Sequence, residues 1–460
     1  MFLRTFNNIP LRYTSLIRLT GLCLLSFLQQ GLHPLLAQSC PFHPDHDYPV
    51  AALQTDLLFL QNKLTKVHPA LYRYTSRHAL DHFFDSLSHS LTHPMTAQAY
   101  LSRLSLLHAK IKDGHTMLLP GTAATTWNQQ YGKYFPFAVR YLAGKLYITE
   151  NYSRNSTITP GTEILSIDNI PVATIMQTLF ARQIRDGYNE TYPAWILHHY
   201  FAAYYRFTFG QTPLFQITLK SSAGVEATQQ IAALTKDSIA AFRQLRYDTT
   251  TPPGIDLRIL PEQQAAILGI KSFDPALLHS TYGQPYYRTI DSLFLRLKQQ
   301  QTTHLILDLR DNQGGDFAPA RYLLSYLLLH PARFLWGGKE TRMITPRGHH
   351  FTGKLFVLIN GGSFSATAIT VATLEREQRG IFIGTETGGG KYVISGDPIM
   401  ATLPHTGIHV LISTKNFRIT PGANNGQGVL PTYPVELTTA DILTNNDPIL
   451  QKALQLITRP

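Results

Sequence analysis

The sequence predicts a mixed α/β protein built from several domains, and three observations support this. The chain has 460 residues, which exceeds the roughly 100 to 200 residues of a typical single domain. Hydrophobic residues make up 44% and charged residues 15% of it, a composition that suits a globular chain with a sizeable core. In the second half, short apolar runs alternate with stretches of helical periodicity, which is typical of a sheet with crossover helices.

The N-terminus has the pattern of an export signal. Three arginines among the first 18 residues precede the apolar run 19–28, and Leu35-Leu36-Ala37 follows. The run is about half as long as the 20 or so residues that a membrane-spanning helix needs. We therefore predict a signal peptide over residues 1–37 and an exported protein that is periplasmic, outer-membrane-associated or extracellular.

Charge does not indicate a nucleic-acid partner. Without the three arginines of the signal peptide, 37 Lys and Arg stand against 29 Asp and Glu, a net charge of +8. The positive residues are scattered, and no basic stripe with interleaved aromatic residues occurs. Cys40 is the one cysteine left after cleavage, and we expect a membrane tether only if this residue carries a lipid.

Residues 38–120 are predicted to form an N-terminal helical domain. Four leucines recur at helical spacing between residues 53 and 64, and periodic stretches follow over 80–91 and 96–112. Cys40, His43 and His46 are each separated by two residues, but prolines break this segment and no second ligand pair stands at zinc spacing. We predict no metal and no cofactor.

The helical domain ends in the sequence KDGHT, residues 112–116. Gly114 is a helix-stop signal, and an apolar run at 117–119 predicts a strand directly afterwards. His115 therefore lies on a loop, where an imidazole can face a cleft or belong to a surface turn. The residues alone favour the surface turn.

Residues 130–235 are predicted to form a β-rich module. Paired strands occupy 135–150, a glycine turn at 160–161 feeds another strand, and an amphipathic helix covers 174–185. A helical insertion at 192–207 precedes a closing strand at 214–220. The sequence Pro252-Pro253-Gly254 then marks the clearest linker of the chain.

Residues 255–440 carry the alternating strands and helices. Strands are predicted at 264–273 and 304–309, with helices at 290–300 and 318–329. A Gly-Gly loop, 314–315, ends the second strand at the edge of the sheet where ligand crevices form. Asp447-Pro448 begins a helix within a C-terminal segment, 441–460.

The stretch 355–391 is the strongest candidate for chemistry. An apolar strand at 355–359 and a Gly-Gly turn precede a helix over 365–378, which places Ser363 or Ser365 at the helix start. A strand at 380–385 and a glycine loop at 387–391 follow. This order suits an acyl-transfer site, but it also suits an ordinary βαβ unit with a capping serine, which is the commoner case.

Four motifs together resemble the S41 peptidases, the C-terminal processing and tricorn-like serine proteases. The resemblance spans about 45 to 457, and the sequences KDGHT and HPALYRY are similar to the tricorn-like branch. It implies a crotonase/ClpP-like protease core at 255–440 and a PDZ-like β-rich module whose residues Gly161, Thr162, Glu163 and Ile164 bind substrate tails. The four motifs are DLRDNQGG (308–315), NGGSFSA (360–366), IFIGTETGGG (381–390) and GVLPT (428–432).

The resemblance implies Ser365 as the nucleophile, with Ser363 as the neighbouring candidate. His115 is its general base by analogy with the tricorn-like branch. The processing branch uses a lysine instead, where this sequence has Gly390 and, one position later, Lys391. The oxyanion hole falls on backbone N–H groups of Ala366 and of the glycine loop, Gly314 or Gly315.

Several positions depart from the family pattern. Ala368 stands where glutamate is usual, Gly114 where the tricorn enzyme has serine, and Thr432 where aspartate is usual. The acid expected just before the GVLPT motif is also missing from 423–427. Asp113 and Glu386 are the remaining candidates for the acid that orients His115.

The leading hypothesis is an exported serine endopeptidase that cleaves extended polypeptides through an acyl-enzyme on Ser365, with His115 as base. The alternatives are a catalytically weak or inactive peptide-binding protein and a Ser365–Lys391 dyad protease. A small-molecule hydrolase is disfavoured because Gly361-x-Ser363-x-Ser365 lacks the last glycine of a G-x-S-x-G elbow.

Overall fold

The computed structural model describes residues 42–336, 343–444 and 446–458. The signal peptide, its cleavage site and Cys40 lie outside these residues. The fold is a mixed α/β arrangement with several sheets and three large hydrophobic cores, which confirms the predicted fold class. None of the helices in the described ranges combines the length and apolar character that crossing a membrane requires.

The helical unit contains the three predicted N-terminal helices and a small sheet. Its leucine-rich core is completed by a hairpin from much later in the chain, around Leu403 and Val410. This hairpin pairs with the strand that follows His115, so part of the predicted 255–440 segment packs on the helical unit. Its helices are Val50–Val67, Arg77–His89, Ala97–Leu104 and His108–Ile111, and its sheet joins Ile399–Thr402, His409–Ile412 and Met117–Leu119.

The β-rich unit has an antiparallel sheet and two helices that cover one of its faces. The helical insertion packs its aromatic residues into this core, where Phe135 contacts Phe201 and Phe215. The likeness to a PDZ domain stays a prediction. In spatial order the five main strands are Glu226–Ala232, Leu214–Lys220, Glu163–Ile167, Lys145–Asn151 and Phe137–Leu142, and the helices are Val172–Phe180 and Thr191–Phe209.

The central-sheet unit holds a six-stranded sheet that is parallel except for its first pair. Side chains alternate between its faces. Leu305 and Leu307 enter the large core, whereas Ile306 packs with Ile449 of the C-terminal helix on the other face. The strands, in spatial order, are Ile255–Leu260, Ala265–Ile270, His304–Asp308, Lys354–Ile359, Ile381–Gly384 and Tyr433–Pro434.

The helices of the central-sheet unit lie on both faces of its sheet. The strands His304–Asp308 and Lys354–Ile359 are adjacent and parallel, with Asp308 opposite Leu358. Their following loops therefore meet at the same edge of the sheet, as predicted. The helices are Pro275–Tyr282, Tyr286–Gln299, Phe317–Leu327, Ala366–Arg376 and Pro448–Thr458; elsewhere in the chain lie Thr122–Gln130, Lys236–Arg246 and Thr439–Leu443.

Candidate active site

Ser365 lies directly before the helix Ala366–Arg376, hereafter the serine helix, and is therefore the one of the two predicted serines at the helix start. Its backbone has φ +54° and ψ −125°, a conformation that costs a non-glycine residue about 1 to 3 kcal/mol. The side chain makes no capping hydrogen bond. Its Oγ lies 3.0 Å from Nε2 of His115 instead, so the strained backbone aims the hydroxyl away from the helix that it precedes.

Ser363 has a different role from Ser365. Its hydroxyl donates to the carbonyl of Leu309 at 2.9 Å and accepts from the backbone N–H of Asn360 at 3.1 Å. It is fully buried. Ser363 therefore ties the turn after one parallel strand to the end of the neighbouring strand, and the structure places it as a support for the loop.

His115 reaches Ser365 from the helical unit, 250 positions earlier in the chain. The helix His108–Ile111 ends at Lys112 in a left-handed conformation, and the backbone N–H of His115 then donates to Oδ1 of Asp113 at 2.8 Å. The Nε2–Oγ distance of 3.0 Å lies in the range that proton transfer to a general base requires.

Asp113 is held as a buried carboxylate. His68 Nδ1 accepts from the N–H of Ala70, so its Nε2 carries the proton and donates to Asp113 at 2.7 Å. Burial by itself would raise the pKa of Asp113. The hydrogen bond from His68 and the electrostatic attraction of the His68 and His115 rings hold this pKa well below its usual range. Asp113 therefore supplies negative charge near the imidazole of His115, although its hydrogen bond with that residue comes from the backbone N–H and not from the ring.

Burial lowers the pKa of His115, and the charge of Asp113 acts in the opposite direction. The imidazole is therefore neutral at pH 7, which is the form that accepts a proton from serine. Its other nitrogen, Nδ1, is buried and has no hydrogen-bond partner among the described residues.

Asp186 is a site residue that sequence reasoning missed. Its carboxyl accepts from the N–H of Gly114 at 2.8 Å and from that of Gly390 at 3.3 Å. Burial first, and then the charge of Asp113, raise the pKa of Asp186 to about 7. Asp186 lies on a loop of the β-rich unit and belongs to none of the motifs, so no sequence signal pointed to it.

Asp113, His115 and Asp186 are also the one group of possible metal ligands close together in the described part of the chain, with donor atoms within 4.8 Å of one another. Both oxygens of each carboxyl already accept hydrogen bonds from the protein. The imidazole of His115 is hydrogen-bonded to Ser365. Because these groups already make hydrogen bonds within the protein, we assign no metal to them.

Two backbone N–H groups beside Ser365 suit an oxyanion hole. Gly315 forms a parallel bridge with Phe273, whose hydrogen bonds use Gly314 and Asp316, so the N–H of Gly315 points away from Phe273. The N–H of Ala366 is the first of the serine helix and has no partner within it. The N–H of Gly314, by contrast, donates to the side chain of Asn312 at 2.9 Å.

Gly314 is instead the residue that lets the loop approach Ser365. A Cβ atom at this position would lie 2.7 Å from the N of Ala366 and 2.8 Å from Cβ of Ser365, and φ is +94°. Only glycine permits both this conformation and this contact. Of the two predicted loop glycines, the geometry favours Gly315 as the donor and Gly314 as the spacer.

The alternative residues lie in other contacts. The ammonium of Lys391 pairs with Glu375 at 3.3 Å, near the far end of the serine helix and about 15 Å from its start at 1.5 Å per residue. Glu386 accepts from the N–H of Gly428 at 2.7 Å. In the described ranges neither residue has a hydrogen bond to Ser365 or His115.

Gly161, Thr162, Glu163 and Ile164 do not form an open peptide-binding edge. Glu163 and Ile164 are paired with strands on both sides, and a strand paired on both sides cannot accept a further strand. Ile164 is buried in the core, and Gly161 lies against Leu443. Strand addition at Glu163 and Ile164 is therefore excluded in this structure, whereas binding of a substrate tail by the segment as a whole stays a prediction.

A cleft of about 500 Å³ opens beside Ser365 and His115. Its floor includes the strand Val393–Gly396, which pairs with Lys415–Arg418 along one edge only. Sequence analysis missed this strand because it is short and only partly apolar. The wall combines apolar side chains with charged ones, namely Phe317, Ile369, Ile394 and Phe417 with Asp316, Arg321, Asp397 and Lys415.

Comparisons with known proteins bear on the family and the fold. Residues 264–435 match the sequence profile of Peptidase family S41. A search of the curated proteins finds no match. The structure of mature CPAF complexed with lactacystin is 15% identical with a TM-score of 0.67, covering 89% of this chain and 98% of that one. The structure of mature CPAF alone is also 15% identical, with a TM-score of 0.65, and the match covers 89% of this chain and 96% of that one. At such identities the likeness shows the fold.

Proposed function

We propose that this chain, whose residues 264–435 match Peptidase family S41, is an exported serine endopeptidase whose acyl-enzyme forms on Ser365. The observation that carries the proposal is the 3.0 Å contact between Ser365 Oγ and His115 Nε2 inside an open cleft. A serine hydroxyl is a weak nucleophile until a neighbouring base accepts its proton.

The reaction proceeds in two halves. Nε2 of His115 accepts the Ser365 proton as Oγ attacks the scissile carbonyl, and the N–H groups of Gly315 and Ala366 stabilise the oxyanion. The imidazolium then donates this proton to the leaving amine, which breaks the peptide bond and leaves an ester on Ser365. A water molecule then attacks the ester carbonyl as Nε2 of His115 accepts its proton; the imidazolium returns this proton to Ser365 Oγ as the bond between the acyl carbon and Oγ breaks and the product acid leaves.

The substrate is an extended polypeptide that adds as a strand to Val393–Gly396. The hydrogen bond from Ile419 N–H to Tyr392 O sets the antiparallel register, so Val393 and Ser395 direct their backbone groups away from the partner strand. Main-chain bonds to such an edge bind peptides regardless of much of their sequence. The sequence of residues 1–37 supports export.

Labelling with a fluorophosphonate probe and mapping of the adduct test the nucleophile and base. We expect a single adduct on Ser365 in the wild type, none in Ser365→Ala and strongly slowed labelling in His115→Ala. Ser363→Ala is the matched control and should still react at Ser365. Equal labelling of wild type and Ser365→Ala contradicts the assignment.

A catalytically weak or inactive peptide-binding protein is the second candidate, and the unpartnered Nδ1 of His115 favours it. Titration of an unfolded, labelled polypeptide against wild type and Ser365→Ala separates the two. Binding without cleavage and without probe labelling in the wild type supports the second candidate, whereas cleavage that Ser365→Ala lacks supports the endopeptidase.

A further inference from the structure

The imidazole of His115 lacks the contact that usually orients a catalytic histidine. In a Ser-His-Asp triad, a carboxylate accepts from Nδ1–H and thereby fixes the tautomer and the ring orientation. Here Nδ1 is buried without a partner in the described part of the chain. The two nearby carboxyls bond backbone N–H groups of the His115 turn, Asp113 that of His115 and Asp186 that of Gly114.

A column of stacked aromatic rings contacts the imidazole instead. The ring of His115 stacks on Phe364 with centroids 4.7 Å apart, and Phe364 stacks on Tyr192 at 4.1 Å with planes 8° apart. Tyr192 stacks in turn on Trp195 at 6.0 Å, and the indole N–H of Trp195 donates to Asp311 at 2.7 Å. The column thus has a hydrogen-bonded end.

The ring of Phe364 has no room to move. It is 2% exposed, and a Cβ atom on Gly114 would lie 2.6 Å from its Cζ. The backbone of the turn that carries His115 therefore lies directly against this ring. Since Phe364 also precedes Ser365 in the chain, one side chain contacts the base while its backbone leads into the nucleophile.

We propose that Phe364 and Tyr192 are positioning residues that hold the imidazole of His115 in line with Ser365 in place of a carboxylate at Nδ1. The stack fixes the plane of the imidazole ring. The hydrogen bond from the backbone N–H of His115 to Asp113 fixes the backbone from which this side chain extends. The inference rests on the proposed function, because it concerns the orientation of the same base.

The negative charge of Asp113 then selects the tautomer without a direct bond. One nitrogen of the imidazole and one oxygen of each carboxyl, Asp113 and Asp186, lie within 4.8 Å of one another. Nδ1 carries the proton whenever Nε2 accepts from Ser365, and a carboxylate at that range lowers the cost of this buried, unpaired N–H. Nε2 is then left free to accept from Ser365.

The test is the rate of fluorophosphonate labelling against pH, together with kcat and KM for a peptide substrate. Phe364→Leu keeps an apolar side chain but removes the flat ring, and we expect labelling and kcat to fall by about 10²-fold, the effect of misplacing a reacting group by an ångström. KM should stay unchanged, and the acid limb of the profile should move towards the ordinary histidine value as water reaches the ring.

Tyr192 supplies the second variant pair, which does not touch His115. Tyr192→Leu should reduce kcat by about 10-fold, since it loosens Phe364 rather than the imidazole itself. Tyr192→Phe retains the ring and should restore both the rate and the acid limb. A melting curve for each variant shows that the fold is intact, and the Tyr192 pair decides the question if Phe364→Leu does not fold.

Three results overturn the inference in different ways. Wild-type rates and an unmoved acid limb in folded Phe364→Leu or Tyr192→Leu refute the positioning role alone. A loss of about 10⁴-fold in Asp186→Asn, with less than a few-fold loss in the aromatic variants, assigns the orientation to a carboxylate. A wild type that the probe never labels refutes the proposed function, and the inference with it.

Discussion

The serine side and the histidine side of the site are held in different ways. Ser365 lies in the segment that matches the peptidase family, and its geometry comes from neighbouring loops of one sheet, with Ser363 and Gly314 against it. His115 lies outside that segment and depends on residues of three units, among them His68 and Asp186. The nucleophile is thus fixed locally, whereas the base is fixed by tertiary packing.

Because of this difference, substitutions on the two sides should have different effects on activity and stability. A change on the serine side acts at the reacting atoms and should reduce kcat with little change elsewhere. A change on the histidine side acts through buried hydrogen bonds that also join the units, so it should affect stability and its pH dependence as well.

On the serine side, Gly314→Ala should have the largest effect. Its Cβ would press on the N of Ala366 and on Ser365, and displacing oxyanion donors costs about 10² to 10³ in kcat. Gly224→Ala is the matched control, because Gly224 also has a positive φ of +83° but open space around it. Kinetics on a peptide substrate measure both, and equal kcat values would refute the account of the glycine loop.

On the histidine side, Asp186 should make stability depend on pH. Its folded pKa of about 7 exceeds the ordinary value of 3.8, so its contribution is full below pH 3.8 and is lost as pH rises through 7. The shift corresponds to roughly 4 kcal/mol of unfolding free energy. Chemical denaturation between pH 4 and pH 8 should show this loss, nearly complete by pH 7, in the wild type but not in Asp186→Asn; parallel pH dependences of the two proteins would contradict it.

Asp113→Asn should lower the free energy of unfolding throughout the pH range around neutrality. In one orientation the NH2 group of the amide would face the N–H of His68, and in the other the backbone N–H of His115, so that a buried donor would be left unsatisfied at a cost of about 1 to 3 kcal/mol. Asp81→Asn is the control, because Asp81 forms only an exposed pair with Arg77. If chemical denaturation gives equal stabilities for the two variants, the buried role of Asp113 is wrong.

Lys391→Met should have the smallest effect. The ammonium pairs with Glu375 at the surface of the serine helix, and such pairs contribute about 0 to 1 kcal/mol. We expect kcat within a few-fold of wild type and an unchanged melting temperature. A loss of several orders of magnitude in kcat would restore the Ser365–Lys391 dyad.

Local signals predicted the serine side well. Apolar runs and glycines indicated the strand Lys354–Ile359, the turn and the serine helix, because these elements depend on neighbours in the chain. They also predicted Ser363 or Ser365 at the helix start, but they did not predict the positive φ of Ser365, its missing capping hydrogen bond or its close approach to Gly314. Residue type alone predicts a capping serine at this position and cannot show that its backbone is strained.

The histidine side could not be predicted from local pattern. His115 was found through the family resemblance, while the residues themselves favoured a surface turn. Asp186 and Tyr192 reach the site only because the β-rich unit packs against the other two units. The family resemblance assigned Gly161 to Ile164 to substrate binding, but no sequence pattern shows that the strand Glu163–Ile167 has a neighbouring strand on each side.

The pH dependence of kcat/KM, compared between wild type and His115→Ala, tests the central claim most directly. Burial lowers the pKa of His115, and the protonated ring cannot accept from Ser365, so wild-type activity should fall with decreasing pH only below the ordinary value of about 6.5. His115→Ala should lose this acid limb together with most of the rate. An identical acid limb and similar rates in both proteins would contradict the assignment of His115 as the base.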